Sequence, residues 1–88
     1  MSDFNDVINL IYSIRDKEQL EDLLIGVTTP KEREELTQRI EIVKQIIAGV
    51  PQQKIAGNLG VGVATVTRGS KELSQGRFKY LQKKSLIL

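Results

Sequence analysis

The chain has 88 residues, 40% hydrophobic and 27% charged, with 13 Lys and Arg against 11 Asp and Glu for a net charge of +2. That length suits one small domain, which buries too little surface to be comfortably stable alone. With no Cys and no His in the chain, disulfides and thiolate metal sites are excluded, as is the commonest general base. A reducing cytoplasm is the expected compartment.

The opening MSDFNDV lacks a basic region followed by an apolar core, and no apolar run reaches the roughly 20 residues of a membrane span. A soluble, cytoplasmic protein with no membrane partner is expected. Helical spacing then continues along the chain. A first helix starts at Ser2 or Asp3 and places Phe4, Val7, Ile8, Ile11 and Ile14 at helical intervals. A second begins near Asp16, where Asp16 and Gln19 hold capping-box positions. It carries Leu20, Leu23 and Leu24 and breaks at Gly26. Thr29-Pro30 followed by Glu32 opens a third, with a capping hydroxyl, a first-turn Pro and a Glu reaching back. This helix runs to about Ala48, with Leu36, Ile40, Val43, Ile46 and Ile47 inward, and ends at Gly49.

Residues 52–73, QQKIAGNLGVGVATVTRGSKEL, read as a short helix, a Gly-bearing turn and a second helix, the layout of a helix-turn-helix DNA reader. Ala56 is small where two crossing helices come closest, and Gly60 falls where the chain must turn. Ile55, Leu59, Val61, Val66 and Leu73 are spaced to form the buried side of both helices. An ordinary αα-hairpin satisfies the same pattern. Ser74-Gln75-Gly76 closes the second reader helix, and residues 77–88 form a last helix with Phe78 and Leu81 inward. The expected organisation is one all-α domain of about six helices: core helices over 1–49, the helix-turn-helix over 50–73 and a C-terminal helix over 74–88.

Charge is unevenly spread. Residues 1–48 carry six bases and ten acids, whereas residues 49–88 carry seven bases and the single acid Glu72. The basic half therefore holds the reader motif, as phosphate attraction requires. A merely solvated basic surface is the alternative. On the second reader helix, Val66, Gly69, Ser70 and Leu73 share one face, and Ala64, Thr67 and Lys71 form a stripe suited to base edges and phosphate. Thr65, Arg68 and Glu72 lie between them. Taken alone, Arg68 and Glu72 read as a surface ion pair worth under about 1 kcal/mol.

The segment ATVTRGS (Ala64 to Ser70), preceded by LGVG (Leu59 to Gly62), resembles the reading helix of the tryptophan repressor family. Upstream, TTPKEREELTQRIEIVKQIIAG (Thr28 to Gly49) is similar to the central helix of that family, including an arginine ten residues after the Thr-Pro threonine. The resemblance covers roughly residues 23 to 73, with one residue fewer around Val50-Pro51.

The resemblance implies an intertwined homodimer, with residues 1–49 supplying its dimerisation and core helices. It also implies L-tryptophan as corepressor; no cofactor and no metal site are expected. The indole would lie between Arg39 and Arg68, with Thr29 of the partner subunit and Arg68 at the ligand carboxylate. Backbone carbonyls of Gly26 and Thr28 would hold the ammonium, Gly69 would lie beside the ligand, and Ile42 and Val43 would form the pocket floor. Glu72 stands where the family carries a small hydroxyl near the ligand amine; a carboxylate there either pairs with the ammonium or binds Arg68 and closes the pocket. Operator readout would fall to Val63, Ala64, Thr65 and Thr67, with Lys71 beside them and with Gln52 and Gln53 approaching phosphates. Gln53, Lys54 and Ala56 differ from common family choices, so a different operator sequence is expected.

The leading expectation is a repressor of tryptophan biosynthesis or uptake genes that binds double-stranded operator DNA. The alternatives are a regulator of the same fold indifferent to tryptophan and a protein-interaction module ending in the apolar tail Ser85 to Leu88. An enzyme is not expected. The acids Glu32, Glu34 and Glu35 sit where a helix dipole favours them, and no nucleophile–base pair accompanies them.

Overall fold

The computed structural model describes residues 2–87, and side chains through Lys84, so the Ser85–Leu88 tail falls outside the described side chains. The fold is all-α, with α1 Phe4–Ser13, α2 Lys17–Val27, α3 Pro30–Ile47, α4 Gln52–Leu59, α5 Val63–Ser74 and α6 Lys79–Ile87. Among the described residues, no helix is long and apolar enough to cross a membrane. The chain divides within α3 into two compact units, residues 1–33 and 34–88.

In the first unit, local hydrogen bonds set the helix limits. Asp3 accepts from the Asp6 N–H at 3.1 Å while its own N–H donates to the Asp6 carboxylate at 3.1 Å. This is a reciprocal capping box built from two aspartates. Asp16 caps α2 by accepting from the Glu18 N–H at 3.0 Å, in place of the reciprocal box expected with Gln19. The expected break at Gly26 is corrected as well, because α2 continues to Val27. A lone interior Gly costs a helix only about 1 kcal/mol. Beyond it, the terminal carbonyls find donors: the Thr28 hydroxyl donates to the Leu24 carbonyl, and Arg33 Nη1 donates to the carbonyls of Ile25 (3.2 Å) and Thr28 (2.9 Å).

The expected box at the start of α3 is present. The Thr29 hydroxyl accepts from the Glu32 N–H at 3.1 Å and the Thr29 N–H donates to the Glu32 carboxylate at 2.8 Å. Hydrogen bonding to the Glu32 carboxylate from Thr29, from its backbone N–H foremost and then from its side chain, holds that carboxyl below its ordinary range.

The second unit holds the fully buried core: Ile42 and Val43 from α3, Ile55 and Ala56 from α4, and Val66 from α5. Ile46, Val50, Leu59 and Val61 pack around it. Leu36 and Ile40, expected inward, are instead 49% and 41% exposed. The inward positions of α3 fall on Ile42, Val43 and Ile46, where Ile55 and Val66 supply the apolar partners.

Gly60 caps α4 in the left-handed conformation at φ +64°, and the following Val61 N–H donates to the Ala56 carbonyl at 3.1 Å. A side chain at this φ would crowd the following carbonyl, so Gly permits the tight return into α5. After α5 the chain turns through Gly76 and Phe78, both at positive φ. The last helix begins at Lys79, two residues later than the expected 77.

Candidate ligand pocket and nucleic-acid interface

The site grows from one close helix crossing. A Cβ at Gly69 of α5 would stand 3.2 Å from Ile42 Cγ2 and 3.7 Å from Ile46 Cδ1, so the bare glycine lets α5 lie against α3 without displacing the Ile42 side chain by the few tenths of an ångström a Cβ would require. Beside that crossing opens a pocket of about 440 Å³, within the range of small-molecule sites. From α3 come Leu36, Arg39, Ile40, Ile42 and Val43; from α5 come Ala64, Thr65, Arg68 and Gly69; Phe78 joins them from the turn before α6.

Five residues singled out for a ligand, Arg39, Ile42, Val43, Arg68 and Gly69, thus share one cavity. Its chemistry is a branched aliphatic floor with two guanidinium groups. Such groups stack on flat rings and bind carboxylates through paired N–H donors. Glu72 is not part of the lining. Its carboxylate lies 3.8 Å from Arg77 Nε, both side chains well exposed at 41% and 71%. The ion pair that forms is therefore with Arg77 rather than the Arg68 partner suggested by helical spacing.

Gly26, Thr28 and Thr29 belong to the first unit. There the Thr29 hydroxyl serves the start of α3, and the Thr28 carbonyl accepts from Arg33 at 2.9 Å.

The reader motif forms as α4, the Gly60 turn and α5. Gln53, Val63, Ala64, Thr65, Thr67 and Lys71 are all exposed, while Gln52 is half-buried. Gln52 is partly covered because the Thr67 hydroxyl donates to its Oε1 at 2.9 Å, linking the first turn of α4 to α5. Neither helix has a side-chain hydrogen bond at its N-cap, where Pro51 and Gly62 stand. First-turn N–H groups there remain suited to an anion.

The sequence matches the Trp repressor protein family over residues 2–84. The chain belongs to that family. It is 41% identical over 87 residues to a Trp operon repressor homolog of Vibrio parahaemolyticus, an alignment covering 98% of this chain and 84% of the relative. A Trp operon repressor homolog of Vibrio campbellii is 46% identical over 72 residues, covering 81% of this chain and 72% of the relative. A third, of Vibrio cholerae, is 44% identical over 73 residues, with 82% and 71% covered. Trp repressor family members are transcription regulators, not enzymes.

Within this Trp repressor family member, the pocket also holds residues whose sequence pattern points elsewhere. Leu36 and Ile40 were expected in the core, and Ala64 and Thr65 on the DNA side of α5; all four line the cavity. Helical periodicity places Ala64 and Thr65 beside Arg68, and that adjacency was the available signal. Phe78 gave no such signal, because its position depends on a positive φ that no periodicity encodes.

Proposed function

We propose that this chain is a tryptophan-responsive transcriptional repressor. As a homodimer, it binds double-stranded operator DNA through α4 and α5 and uses L-tryptophan as corepressor. One observation carries the proposal: Arg39 and Arg68 line the same cavity, which also includes Ala64 and Thr65 of the reader helix. A flat amino acid between those guanidiniums touches the helix that meets DNA, so the ligand and the operator act on one element.

The coupling is thermodynamic. L-tryptophan promotes DNA binding only to the extent that it favours the α5 placement that DNA also favours. By reciprocity, operator DNA tightens L-tryptophan binding by the same factor. Dimerisation supplies two reader helices for successive major grooves, about 34 Å apart. It also offers cover for α1, none of whose side chains is buried within the single chain.

The chain contains no Trp, so fluorescence of added L-tryptophan reports its own binding. Titration is expected to give a saturable change, and duplex DNA affinity, measured at fixed salt, is expected to rise with L-tryptophan. Arg39→Ala should remove that rise while leaving ligand-free DNA binding intact. A wild-type protein that binds duplex DNA with no response to L-tryptophan would favour the tryptophan-indifferent regulator instead.

A further inference from the structure

We propose that Phe78 sets the size and shape of the ring that the pocket admits. This deepens the corepressor reading and rests on it. Among the described residues Phe78 is the one non-glycine at positive φ, at +65°, a conformation uncommon for a bulky side chain. It is half-buried, and it is the one aromatic residue in the pocket lining and the one that comes from outside α3 and α5.

The turn that carries it is fixed from both sides. Gly76 precedes it at φ +92°. The Arg77 N–H donates to the Glu72 carbonyl at 3.1 Å, and the Arg77 guanidinium faces the Glu72 carboxylate at 3.8 Å. On the far side, the Gln82 N–H donates to the Phe78 carbonyl at 3.0 Å, anchoring the residue to the first turn of α6.

Glycine would take this backbone conformation without strain, so the turn itself does not call for a phenyl ring. What the ring adds is a wall. Lining the same cavity as Ile42, Val43, Arg39 and Arg68, an aromatic side chain can meet a flat ligand by edge or face. Residues held in sparsely populated backbone regions cluster at ligand clamps and active sites. The class selected is a planar aromatic amino acid whose ring substituents are limited by the phenyl group.

The test uses the full chain, with wild type, Phe78→Gly and Phe78→Leu titrated with L-tryptophan and its ring-methylated derivatives. Phe78→Gly is expected to weaken L-tryptophan by about tenfold. It should also reduce discrimination against the worst-tolerated methyl derivative by about tenfold or more. If the glycine variant fails to fold, Phe78→Leu carries the test: a changed ranking of the derivatives supports the proposal and an unchanged one overturns it. A folded Phe78→Gly protein with wild-type affinity and ranking overturns the proposal alone. Absence of L-tryptophan binding by wild type overturns both this inference and the corepressor reading.

Discussion

Thr29 is occupied by its own helix. Its hydroxyl and N–H are both engaged with Glu32, so replacing it removes a cap whether or not a ligand is present. Thr29→Ala is expected to lower stability by about 1 kcal/mol in urea denaturation. Glu32 supplies a pH signature. Its folded-state carboxyl titrates below the ordinary 4.5 because Thr29 donates to the ionised form. Its contribution is therefore complete above the unfolded-state value and fades as pH falls through the folded one. Glu32→Gln should differ from wild type by a constant amount near neutral pH. The gap should narrow below about pH 4.5, read as converging denaturation midpoints. At the residue scale the sequence is informative at some caps, although the Gln19 box and the Gly26 break it suggests in α2 do not form. The Thr-Pro-x-Glu start is an informative one, since its hydrogen bonds span only three residues. The Asp3–Asp6 box escaped because the reaching residue is an aspartate rather than the usual Glu or Gln.

Among elements, the α4–α5 pair was readable from the chain because its parts are local: an Ala at the crossing, a Gly at the turn and apolar positions facing inward. Gly60 tests that reading. At φ +64°, an alanine should cost roughly 1–2 kcal/mol, and Gly60→Asn should cost less because Asn tolerates the left-handed region. Equal stability for all three proteins in urea would show that the turn relaxes. The inward face of α3 was harder to read. Every third or fourth position along it is aliphatic, so periodicity offered Leu36 and Ile40 as readily as Val43 and Ile46. Only the approach of α5 at Gly69 decides between them. The same crossing adjoins the pocket, which is why two arginines far apart in sequence line one cavity in three dimensions. Motif resemblance supplied that pairing; composition did not.

For the molecule as a whole, surface accounting is decisive. Phe4, Val7, Ile8 and Leu10 of α1 are exposed, as are Tyr12 and Tyr80, at 88% and 75%. A chain of this size gains little by leaving them in water. A second copy is the proposed cover. Sedimentation should give a dimer, its melting temperature should rise with protein concentration, and Ile8→Glu should weaken association. A wild-type monomer at micromolar concentration would defeat the dimer.

Ile42, 1% exposed, belongs at once to the central core and to the floor of the pocket. Trimming it to Ala would therefore loosen the scaffold and the perch for the effector in a single stroke. A ligand that holds only the folded form drags such a weakened population back by mass action. Under the proposed function, alleles altered at Ile42 should accordingly regain silencing when cells are flooded with L-tryptophan, whereas lesions confined to the proposed DNA side of α5 should stay deaf to any dose.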